Sequence, residues 1–95
     1  YVYCANKLNF SEVHTEAELT FEHTIFKGKC YFENSQFGDR IIFNKSIFYK
    51  FVDLTYVKFL EKAYFTKVKF LDDVVFENVV FENKSYFMGS VFKGN

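Results

Sequence analysis

Phenylalanine returns along this chain at alternating steps of five and six residues, from Phe21 to Phe92. The series runs Phe21, Phe26, Phe32, Phe37, Phe43, Phe48, Leu54, Phe59, Phe65, Phe70, Phe76, Phe81, Phe87, Phe92, and only Leu54 departs from it. The unit is therefore eleven residues long with two aromatic positions, and it accounts for almost the whole sequence. A unit this short cannot bury an apolar face alone. Copies must stack on one another, so the period points to a solenoid before any residue is read for chemistry.

Cut at each first aromatic, the chain becomes FSEVHTEAELT, FEHTIFKGKCY, FENSQFGDRII, FNKSIFYKFVD, LTYVKFLEKAY, FTKVKFLDDVV, FENVVFENKSY and FMGSVFKGN, preceded by the tail of one earlier unit. Position one is Phe except at Leu54, and position six is Cys4, Thr15 and then Phe from Phe26 onward. Positions four and ten are small or aliphatic, as in Ser35, Val57 and Val68, or Cys30, Ile41 and Val52. Each aromatic thus follows a small or aliphatic residue by two places. That spacing sets both on one face of an extended strand. The pattern reads as short strand, corner, short strand, corner, with two inward side chains per strand.

Helical geometry fails this pattern. At about 100° per residue, positions one and six would lie roughly 140° apart and share no stripe. A hexapeptide β-helix needs a strict step of six, which the fives break. An antiparallel meander needs Asn-Gly or Asp-Gly hairpins, and only Gly38-Asp39 comes near. The Phe, Tyr, Val and Ile content favours strands.

The small-x-Phe units resemble the pentapeptide-repeat family, whose five-residue unit places a small residue two before a central Leu or Phe. Ser35 and Phe37, Ile41 and Phe43, Ser46 and Phe48, and Val57 and Phe59 stand in those roles. One extra residue in every second unit makes this a Phe-rich variant with an eleven-residue period. Two departures stand out: the small position is often Val or Ile, and the Asp or Asn usual between the inward residues is scarce. The resemblance implies an all-β, right-handed, quadrilateral parallel β-helix of about four coils of 22 residues. Residues 22 apart should then stack. The core expected on this basis is the aromatic series above with Leu54 included. Residues 1–95 are expected to form a single solenoid domain, a fragment or the ordered part of a longer solenoid, since Tyr1 stands partway through a repeat.

Composition excludes more than it assigns. Twelve basic residues balance twelve acidic ones, so neither a strongly basic nucleic-acid binder nor a strongly acidic mimic is announced. Cys4 and Cys30 make no disulfide framework or metal site and read as small buried hydrophobes. No apolar run approaches membrane-spanning length. There is no glycine-rich phosphate loop, paired-Cys motif or His-x-x-x-His spacing. His14 and His23 fall on outward positions and read as solvated, and Asp72-Asp73 alternate in direction as strand neighbours. Asn9, Asn44 and Asn83 start Asn-x-Ser sequons, whose serines at 46 and 85 are already explained as small inward residues. No catalytic, cofactor or metal residue is assigned, and neither an enzyme nor a small-molecule or nucleic-acid binder is expected.

The outer surface carries the remaining signal. Ile25, Ile47 and Val91 share one outward column with Lys69; Tyr49, Leu60 and Leu71 occupy position seven, and Ile42, Tyr64 and Tyr86 position eleven. Strand propensity explains part of this, and a contact surface on one or two faces explains the rest. The expected function is a non-enzymatic structural or protein-interaction scaffold, self-associating through its ends or apolar outer faces. The resemblance implies an alternative, because some pentapeptide-repeat proteins resemble DNA and bind type II topoisomerases such as DNA gyrase. The balanced charge and the Lys-rich middle weigh against it.

Overall fold

A computed structural model describes residues 2–94, with Val2 described by its backbone alone; Tyr1 and Asn95 lie outside the described residues. Among these residues the regular structure is all strand, in pieces of two or three residues. Successive strands visit four parallel sheets in turn, so the chain winds through a four-sided solenoid of about four 22-residue coils. Wall 1 is Val2–Cys4, Thr24–Phe26, Ile47–Phe48, Lys69–Phe70 and Val91–Phe92. Wall 2 is Leu8–Asn9, Cys30–Tyr31, Val52–Asp53 and Val74–Val75. Wall 3 is His14–Thr15, Gln36–Phe37, Lys58–Phe59 and Val80–Phe81. Wall 4 is Leu19–Thr20, Ile41–Ile42, Ala63–Tyr64 and Ser85–Tyr86. Every paired residue is 22 positions from its partner, as in Phe26 with Phe48 or Cys30 with Val52.

This register turns the sequence period into packing. Phe26 and Phe48 stack at 4.4 Å between ring centroids and 2° between planes, and Phe48, Phe70 and Phe92 continue the pile at 5.1 and 4.8 Å. Neighbouring piles meet edge to face, as in Phe32 with Phe43 at 84° and Phe59 with Phe65 at 87°. Offset stacking along a column and T-shaped contact between columns are the two arrangements that the ring quadrupole favours. Burial is nearly complete in the middle coils, where Phe26, Phe32, Phe37, Phe43, Phe48, Phe59, Phe65 and Phe70 are each 1 % exposed and Leu54 2 %. Phe21, Phe76, Phe81 and Phe87 are partly buried against that core, and Phe92 is 46 % exposed.

Two kinds of corner alternate. After position one the chain makes a two-residue turn, closed by hydrogen bonds such as the Val57 N–H to the Leu54 carbonyl (3.2 Å) and the Ser46 N–H to the Phe43 carbonyl (3.1 Å). The second residue of each such turn has positive φ: Glu12, His23, Asn34, Lys45, Tyr56, Lys67 and Asn78 lie between 55° and 63°, and Gly89 at 73°. A positive φ at that place is the mark of a type II turn. The other corner, after position six, is a broader bend. There Gly28 packs so closely on the coil below that a Cβ would stand 2.7 Å from the Asn6 and Lys7 backbone.

The inward serines serve as rivets between coils. The Ser35 hydroxyl donates to the Phe10 carbonyl (2.5 Å) and accepts from the Val13 N–H (2.9 Å). Ser46 does the same with the Phe21 carbonyl and the Thr24 N–H (3.0 Å), and Ser90 with the Phe65 carbonyl and the Val68 N–H (3.2 Å). A buried hydroxyl is tolerated because donor and acceptor capacity are both met. Ser85, at position ten of the last coil, is exposed instead. Thr15 Oγ1 is buried and finds no hydrogen-bond partner.

Candidate interaction surfaces

The outward columns distribute the apolar surface residues unevenly. Ile25, Ile47 and Val91 stand in one column on wall 1, in register with Tyr3 and Lys69. Tyr49 and Leu71 follow two residues after Ile47 and Lys69, at the rim of the same wall. Tyr49 is 37 % exposed, Leu71 36 % and Val91 39 %, while Ile25 and Ile47 are half-buried. Ile42, Tyr64 and Tyr86 form a separate column on wall 4, where the two tyrosine rings stack at 4.9 Å and 9°. Leu60 belongs to neither group; it stands at the rim of wall 3. Wall 1 therefore brings five of these residues together, wall 4 three, and Leu60 stands apart.

Other exposed apolar groups sit outside that set. Tyr3 and Tyr56 are each 58 % exposed, Met88 79 % and Val80 40 %. Phe51 breaks the repeat by occupying position nine, and its ring meets Tyr31 on the outside of wall 2 at 6.1 Å. Its signal was a Phe outside the five-and-six series. Lysines lie against the same outer rings: Lys27 Nζ stands 4.0 Å from the Tyr49 ring centroid and Lys7 Nζ 5.6 Å from that of Tyr31. Such pairs keep the lysine charge near solvent while covering the aromatic face.

The last coil offers a third surface. Phe76, Val79, Phe81, Phe87 and Phe92 line an open hollow of about 350 Å³ at the end of the core. It is the continuation of the core columns, with no further coil upon it among the described residues.

Among the described residues no group of three or more His, Cys, Asp or Glu side chains could hold a metal ion. The thiols are free, with Cys30 buried and Cys4 half-buried, and burial pushes the Cys30 thiol up to about 12. A thiol so held is a poor nucleophile at neutral pH. His14 and His23 are both exposed. No helix among the described residues is long and apolar enough to cross a membrane.

Comparison with known proteins agrees with the geometry. Residues 54–95 match the family model described as pentapeptide repeats (9 copies). No match was found among curated proteins or among solved structures. Repeat proteins of this family serve as scaffolds and commonly mediate protein interactions, and their fold is generally non-enzymatic. The matched segment shares its 22-residue register with the strands that precede it, as far back as Val2. Residues 54–95 carry pentapeptide repeats, within a four-sided β-solenoid.

Proposed function

We propose that this solenoid is a non-enzymatic interaction scaffold that presents its outward columns to a protein partner or to its own copies. The observation that carries this reading is the wall 1 surface, where Ile25, Ile47, Val91, Tyr49 and Leu71 gather on one parallel sheet and its rim. Apolar side chains gathered on one wall are more consistent with contact than with isolated strand propensity. Rigidity comes from the ring-filled core, which lets the face bind without reorganising. Light scattering across a wide concentration range tests self-association. A molar mass that climbs with concentration is expected, and a strict monomer throughout rules it out.

A further inference from the structure

The zero net charge hides a polarised cross-section. Positions two to eight of each repeat fall on wall 1 in one unit and on the opposite wall 3 in the next. On wall 1 and its rims this places Lys27, Lys45, Lys50, Lys67, Lys69 and Lys93, opposed only by Glu22 and Asp72. On wall 3 and its rims it places Glu12, Glu33 and Glu77 on one side and Glu16, Asp39, Glu61 and Glu82 on the other, opposed only by Lys58. Eleven of these thirteen majority side chains are exposed, Glu33 and Asp39 being half-buried; among the described residues the ion pair seen, Arg40 with Glu18 at 2.5 Å, lies at the wall 4 side of its corner. The sign of charge therefore alternates with a period twice that of the aromatic repeat.

We propose that copies of this chain stack laterally, the basic wall 1 of one seated on the acidic wall 3 of the next. The proposal rests on the scaffold reading above and names the partner and the two faces. Both rims match: lysines flank the Ile25, Ile47, Tyr49 and Leu71 surface, and carboxylates flank the Gln36, Leu60 and Val80 surface. Register matches as well. Strands in both walls repeat at the same spacing of about 4.8 Å, so successive charges on one copy can face successive charges on the other. Because the two faces differ, the contact is heterologous and leaves a free wall at each end of the row, so the row is open-ended.

Sedimentation velocity at low and high salt tests this, together with two sets of charge reversals. Screening shortens the reach of exposed charges to about 3 Å at 1 M salt, against about 30 Å at 0.01 M. Wild type should form a concentration-dependent series at low salt and fall several-fold in mean mass at high salt. The variant Lys27→Glu/Lys50→Glu/Lys67→Glu loses its basic wall, and Glu16→Lys/Glu61→Lys/Glu82→Lys loses its acidic one. Each alone should stay monomeric at low salt while keeping the wild-type circular dichroism and melting profile. Mixed, they should associate where neither does alone, since the acidic wall 3 of one still meets the basic wall 1 of the other. A wild-type series insensitive to salt and to both reversals would overturn lateral stacking while leaving self-association through the ends intact. A wild-type monomer under all conditions would overturn both. A monomer that instead binds anionic lipid vesicles in a salt-sensitive way would overturn it in favour of a membrane surface as the occupant of wall 1.

Discussion

Cys30 shows how one position reports on the coils around it. It occupies position ten of the repeat, between Leu8 and Val52 on wall 2, and is 1 % exposed. Loss of hydration chiefly, and the charge of a Cys4 thiolate secondarily, push its thiol from 9.0 up to about 12. The fold thus accepts only the neutral thiol. In the unfolded chain the thiol ionises near its ordinary value, so the unfolded state binds fewer protons above it and gains on the native state. Stability should be fully present below about pH 9 and decline as pH rises toward 12. Melting temperatures of wild type and Cys30→Val, compared from neutral to alkaline pH, should diverge above pH 9, with wild type falling faster. Parallel curves would show that the thiol ionises as freely folded as unfolded. The inward place of Cys30 was legible in the repeat because its column is otherwise apolar. The orphaned Thr15 hydroxyl was not, because a partner 22 or 25 residues away depends on whether the neighbouring coil offers one.

Strands were easier to read than the corners that join them. Small-x-Phe spacing marks an inward pair directly, whereas turn prediction leans on Gly and Pro, and this chain has four Gly and no Pro. Among the described residues the structure instead bends seven non-glycine residues into the left-handed region. Only Asn34, Asn78 and Gly89 at that position carried a residue type that would have signalled it. The other corners are held by the coil above: the Tyr56 N–H donates to the Glu77 carbonyl and the Lys45 N–H to the Thr66 carbonyl, both at 2.9 Å. Stacking thus fixes a conformation that the residue itself disfavours by about 1–2 kcal/mol. Tyr56 has φ of 58° and is 58 % exposed, so its side chain contributes little burial in compensation. Tyr56→Gly relieves the strain and keeps the N–H, at the cost of about 0.5–1 kcal/mol of extra freedom in the unfolded chain. The net expectation is a gain of about 0.5–1 kcal/mol, or a rise of a few degrees in calorimetric melting. A lower melting temperature would mean that the turn is set by the tyrosine ring and not by the ladder.

At the scale of the whole molecule, the aromatic period and the charge period do different things. The first is inward and recurs from coil to coil with few departures, which is why the architecture was legible from one sequence. The second is outward and emerges only when the units are sorted by wall, which requires knowing that four sides close each coil. Sequence order alone mixes the basic and acidic walls into a neutral total. The core has its own gradient, because each coil is covered only by its neighbours. Phe59 and Phe92 have the same residue type and the same position in the unit, yet one is 1 % exposed and the other 46 %. Phe59→Ala leaves a cavity between Phe37 and Phe81, whose rings it stacks upon at 5.6 and 4.9 Å, and should cost about 3–5 kcal/mol. Phe92→Ala removes a ring with one stacked neighbour, Phe70 at 4.8 Å, and roughly half the burial, so about 1–2 kcal/mol is expected. Urea unfolding at low protein concentration measures both. Equal losses would mean that the last coil is covered in solution as thoroughly as the middle one, and the graded core would have to be given up.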